Sequence, residues 1–98
     1  MKLYMVHCGF YDEAMGEGLY ESHMNFFVAA ESFEDARLRV KQLPAFKVRR
    51  MHVDGLQEIQ AVNGYKVSLL QVPELGEETI LLNMKHRDLA PKPAPTSV

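Results

Sequence analysis

The sequence predicts an α+β fold in the order β-β-α-β-β, an antiparallel sheet of four strands with one helix packed on one face. Three observations carry this. Glu21–Ala30 alternates apolar and polar residues at the strand period, a capped segment of helical period follows it directly, and Asn63-Gly64 marks a hairpin between two further apolar runs. Thr79–Met84 is a candidate fifth strand, because Thr79 and Ile80 are β-branched. The domain is expected to span residues 1–84, with residues 85–98 a disordered tail ending in PKPAPTSV.

Leu3–Phe10 is a nearly continuous apolar run, as in a strand covered on both faces. Tyr4, Val6 and Cys8 share one face, and Leu3, Met5 and His7 the other. The connection from Gly9 to Tyr20 contains three glycines and no clean period, and its acids make it a candidate lip. In the second strand Ser22, Met24, Phe26, Val28 and Ala30 form the core row, opposite Glu21, His23, Asn25, Phe27 and Ala29.

Ser32 with Asp35 three residues on is a variant of the capping box, and Phe33, Ala36, Val40 and Leu43 recur at helical spacing. Pro44 disfavours helix at Leu43, so the helix is predicted to end there. Ala45–Arg50 reads as a basic connector. Met51–Val72 reads as two strands around the hairpin, with a bulge near Gly55 because Leu56 breaks the alternation set by Met51, Val53 and Ile59. A three-residue loop, Val62-Asn63-Gly64, is the predicted turn. It sets Ala61 opposite Tyr65 and Ile59 opposite Val67, and so keeps the apolar residues on one face.

Composition bounds the function. Eleven basic and thirteen acidic side chains in 98 residues give a net charge of −2, which supplies no field toward nucleic acid or anionic membrane. Six of the basic residues lie between Arg37 and Arg50, but no aromatic platform or phosphate-cradling glycine loop accompanies them. The single cysteine, Cys8, excludes an intrachain disulfide and a cysteine-rich zinc site, and points to a reducing, cytoplasmic setting. No run approaches the roughly twenty apolar residues of a membrane span, and the amino terminus lacks a secretory signal pattern.

With the helix on the Tyr4-Val6-Cys8 face, His7, His23, Asn25, His52 and Asp54 share the opposite face of the sheet. His23, Asn25, His52 and Asp54 are the candidate ligand-binding residues. Three histidines and a carboxylate can bind a divalent metal or run acid–base chemistry near neutral pH. The H-x-N and H-x-D spacings place side chains on one face and nothing more, and H-E-x-x-H is absent. No metal and no cofactor are therefore expected. Cys8 falls on the core row, where a thiol packs as a small hydrophobe.

The ordered set KLYMVHCG, Glu21-Ser-His23, FVAAESFED (Phe27–Asp35), MHVD (Met51–Asp54) and NGYKV (Asn63–Val67) resembles a small bacterial domain-of-unknown-function family, number 1543, over roughly Lys2–Leu70. The resemblance singles out Glu21, His23, His52 and Asp54, and departs at Cys8-Gly9, where the family often has a glycine pair. It implies no activity, but its occurrence in one or two copies per chain implies that copies pack together. The function expected is a small cytoplasmic binding or interaction module, self-associating as a dimer. The alternative is a metal-dependent or histidine-assisted enzyme using His23, His52 and Asp54. The apolar row Leu3, Met5, Phe27 and Ala29 beside the histidines is the expected dimer surface, unless Ile80, Leu81 and Leu82 fold back over it.

Overall fold

The computed structural model describes residues 1–89. It is α+β, with a three-stranded antiparallel sheet in the order β2-β1-β3. The strands are β1 (Lys2–Tyr11), β2 (Glu21–Ala30) and β3 (His52–Glu58). The main helix α1 (Phe33–Lys41) and the short α2 (Pro44–Val48) lie between β2 and β3, and β4 (Ala61–Val62) and β5 (Tyr65–Lys66) pair as a separate ribbon.

β1 is central because it is apolar on both faces along much of its length, the pattern of a strand flanked on both edges. Tyr4, Val6 and Cys8 are buried, as their row predicts. Ala30 is also buried, and Met24, Phe26 and Val28 of the β2 core row pack against them. Ala36 and Val40 bring α1 onto this face, and Met51, Val53 and Leu56 complete it from the β3 side. Ser32 Oγ accepts from the Asp35 amide at 3.1 Å, while Asp35 Oδ2 accepts from the Glu31 amide at 2.9 Å, so the cap forms reciprocally. That backbone donor, with Arg39 second, holds the Asp35 carboxyl below its usual range. A depressed folded value contributes stability above the unfolded carboxyl pKa, and this is lost as pH falls through the folded one.

Three expectations are corrected. The four-strand sheet is three-stranded, because the chain leaves β3 after Glu58 and the Asn63-Gly64 hairpin stands off as its own two-stranded ribbon. Thr79–Met84 is not a strand: it runs irregularly, between 3-10 turns at Pro73–Leu75 and His86–Leu89. The basic connector contains α2, which proline opens from its first turn and which buries Phe46 in the core. The disorder expected from about Pro91 lies outside the described residues.

The hairpin register is also corrected. Ala61 pairs with Lys66 and Val62 with Tyr65, a two-residue loop with Asn63 at φ 52° and Gly64 at φ 84°. Positive φ at both positions is the type I′ turn, which matches strand twist. The three-residue reading assumed a face to be buried, but Val62 and Tyr65 are 53% and 80% exposed, so no core constrains register and the turn chemistry decides it. Gly64→Val is expected to disrupt this ribbon by more than about 1 kcal/mol, since a β-branched residue is strained at positive φ. Hydrogen exchange at the Val67 amide, which donates to Gln60 O at 2.9 Å, is the readout. Unchanged protection there would contradict the turn assignment.

A candidate metal centre on the open sheet face

Gly9 is the reference point of the open face. It pairs with His23 of β2 on one side and His52 of β3 on the other, so the two imidazoles stand level across the central strand. Glu21 lies two residues before His23 on the same face of β2. Asp54 arrives by a bulge: Cys8 pairs with Val53 but His7 with Gly55, so Asp54 and Gly55 together occupy the place opposite His7. The bulge keeps Asp54 beside His52 and then returns Leu56 to the core face, which is the phase shift expected near Gly55. Leu56, rather than Ile59, holds that core position.

Four groups converge above Gly9. His52 Nε2 lies 2.7 Å from Glu21 Oε1 and 3.2 Å from Asp54 Oδ1. His23 Nε2 lies 3.2 Å from Glu21 Oε1 and 3.2 Å from Asp54 Oδ2. All four side chains are about a third to under a half exposed. The backbone of β1 makes this convergence possible. A Cβ built on Gly9 would sit 2.6 Å from His52 Nε2 and 2.7 Å from Asp54 Oδ2, and closer still to Glu21 Oε1. A glycine inside a strand marks such a close approach.

The neighbours of the cluster are distinct in role. His7 Nδ1–H donates to Asn25 Oδ1 at 2.6 Å, and the His7 ring stacks on His23 at 4.7 Å between centroids, 6° from parallel. Asn25 thus orients His7 and makes no hydrogen bond to the carboxylates. The Tyr11 ring lies 6.3 Å from that of His52 and also lines a cavity of about 480 Å³ at the end of the sheet, with Phe10, Arg49 and Arg50. Arg49 is engaged over the Phe10 ring at 5.1 Å. Cys8 is buried, and burial, with the Asp54 carboxylate second, raises its thiol pKa, which leaves it unsuited to nucleophilic work.

Chemically, two imidazoles and two carboxylates within contact distance form a borderline N/O donor set suited to a first-row divalent ion. Among the described residues, two triads could each hold an ion: Glu21, His52 and Asp54, and His7, His23 and Asp54.

The Glu21-x-His23 pair and the strand that carries it lie in a segment, residues 18–69, that matches the family model DUF1543, a Domain of Unknown Function. The chain belongs to this family. The match covers the second strand, both helices, the bulged strand and the hairpin of the DUF1543 chain, and hence Glu21, His23, His52 and Asp54, but begins after His7 and Gly9. Neither the curated proteins nor the solved structures compared with the chain match it.

The structure brings together His23, His52 and Asp54 of the residues singled out from sequence, and sets Asn25 one step aside as the partner of His7. The sequence reading puts His7 on this face and the resemblance marks Glu21, but neither is among its candidate ligand-binding residues, and the close approach at Gly9 is not anticipated. Period-2 spacing from His23 already placed Glu21 on this face, and an isolated glycine within an apolar strand was the available signal for Gly9. Nothing in the linear spacing sets His7 against His23.

Proposed function

We propose that this DUF1543 chain binds a divalent transition-metal ion through Glu21, His23, His52 and Asp54. The observation that carries the reading is the set of four nitrogen–oxygen separations, 2.7, 3.2, 3.2 and 3.2 Å. Donors placed tetrahedrally about 2.0–2.1 Å from a zinc-sized ion stand about 3.3 Å apart, close to the spacing of each histidine from its neighbouring carboxylates. An ion neutralises two adjacent carboxylates, and the histidines favour zinc-like ions over calcium or magnesium. This departs from the expectation of no metal, which rested on motif spacing along single strands, whereas the ligand set is drawn from two strands across a third. Metal-dependent or histidine-assisted catalysis is the activity such a centre supports.

Titration of chelator-treated protein with Zn²⁺ tests the reading. We expect saturable binding and a rise in melting temperature, about 2.7 kcal/mol of stabilisation at 100 times Kd. Both effects should disappear in the Glu21→Gln/His52→Ala double variant. Absence of heat and of any thermal shift with the wild type would overturn it.

Self-association as a dimer is the second reading, supported by the segment after β5. Leu70, Ile80 and Leu82 are 88%, 68% and 97% exposed, so the fold-back cover is not formed. Phe27 and Ala29 are left exposed, with Leu3 and Met5 half-buried beside them. A second copy supplies the apolar partner both surfaces lack. Light scattering at tens of micromolar protein decides it, a monomer mass excluding the dimer. A cytoplasmic location suits both readings, with Cys8 kept reduced. Among the described residues no helix is long and apolar enough to cross a membrane.

A further inference from the structure

We propose that the open face holds two divalent ions, bridged by Asp54. This rests on the metal-binding reading and extends it. The two triads share one member: Glu21 and His52 stand on one side of Asp54, His7 and His23 on the other. The two oxygens of Asp54 divide the same way, Oδ1 lying 3.2 Å from His52 Nε2 and Oδ2 3.2 Å from His23 Nε2, while Glu21 Oε1 stands nearer to His52 Nε2, at 2.7 Å, than to His23 Nε2, at 3.2 Å. A carboxylate facing ligands on both sides is the usual bridge in two-metal centres, whose ions lie about 3.5–4 Å apart. With a single ion bound, His23 completes its shell; with two, His23 passes to the second ion.

His7 is prepared for the role. Asn25 Oδ1 can only accept, so the 2.6 Å contact makes His7 Nδ1 the donor, and in the neutral ring Nε2 then keeps its lone pair. A ligating histidine ordinarily donates its other ring nitrogen to an oxygen in this way. The His7 and His23 rings lie nearly parallel with centroids 4.7 Å apart, so one ring turns about its side-chain bonds for both nitrogens to face a shared ion. The donor atoms of each triad lie within 4.8 Å of one another, close enough for modest side-chain movement to bring them around an ion. Two dications on two carboxylates leave an excess of two positive charges, which a bridging hydroxide or a carboxylate ligand would halve and a phosphate dianion would neutralise. The face is open enough to admit one.

Metal content after equilibrium dialysis of the full chain against Zn²⁺, with the electron paramagnetic resonance spectrum of the Mn²⁺-loaded protein, tests the assignment. Two ions per chain are expected in the wild type, with the broadened spectrum of an exchange-coupled Mn²⁺ pair. One ion and an isolated-ion spectrum are expected in His7→Ala. Asn25→Ala keeps every ligand but releases the His7 tautomer, and should weaken only the second binding event, by about 10–100-fold. One ion in the wild type, unchanged by His7→Ala, would overturn the second site and leave the single-ion reading intact. Two ions in both proteins would remove His7 from the centre and overturn the assignment, and no ion at all would overturn both readings.

Discussion

Gly9→Ala is expected to leave the chain folded and to lower its Zn²⁺ affinity by at least about 10–100-fold, the range seen when the groups that support a ligand set are disturbed. The atoms that a Cβ at Gly9 would strike are the far ends of Glu21, His52 and Asp54, not backbone. These partly exposed side chains can swing into solvent, so β1 keeps its pairings while the donors are driven apart. Alanine in place of a strand glycine also carries no entropic penalty. The expected signature is therefore a separation of effects: a urea midpoint within error of the wild type and a metal isotherm shifted far to weaker binding. Undiminished binding in this variant would mean that the donor groups do not converge above the central strand. Loss of stability without loss of affinity would mean that Gly9 serves the sheet rather than the site.

The largest stability effect is expected for Tyr4→Ala, about 3–5 kcal/mol by comparison with other buried aromatic truncations. Tyr4 is 1% exposed, clusters with Ala30 and Ala36, and meets the edge of Phe33 with ring centroids 5.1 Å apart. Ala30 and Ala36 are too small to fill the space the ring leaves, so truncation opens a cavity that Val28 and Leu56 at its edge close only in part. A three-stranded sheet with one principal helix has little core to spare, and a loss of this size is a large share of the 5–15 kcal/mol or so typical of a domain. Tyr4→Phe is the control. Among the described residues the Tyr4 hydroxyl makes no side-chain hydrogen bond, so its removal orphans no partner and should change stability by less than about 1 kcal/mol. Urea unfolding of the three proteins is the measurement. Similar midpoints for Tyr4→Ala and the wild type would show that the α1–sheet contact is not the stabilising core.

The two proposed readings, self-association and metal binding, concern the same face of the sheet. If a second copy covers Phe27 and Ala29, it approaches the histidines from one side, so the Zn²⁺ titration and the light-scattering mass are best taken on the same preparation. A mass that changes with Zn²⁺ would link the two readings, and a constant mass would separate them.

What the sequence determined by itself was local. Alternation along β1 and β2 assigned the core row correctly, because the strand period forces every second side chain to one face. Ser32 and Asp35 marked where α1 starts, and Pro44 where it stops, because caps and proline act through the nearest few peptide groups. The interruption at Leu56 announced the bulge, since the buried row could not otherwise be continuous. Tertiary structure decided what depends on which strand lies beside which. Hairpin register at Asn63-Gly64 escaped the reading because the ribbon buries neither face, so the hydrophobic pattern there carried no information. The fifth strand failed for a similar reason: β-branched residues favour a strand only when a sheet edge accepts them, and in this fold Thr79–Met84 meets none. The candidate centre belongs to the tertiary level most of all. His23 and His52 are 29 positions apart and become neighbours only because β1 is central, and only a residue without a Cβ at position 9 lets the groups above it meet. Spacing along one strand reports which face a side chain takes. Distance across strands is set by the order of the sheet, and no periodicity encodes that.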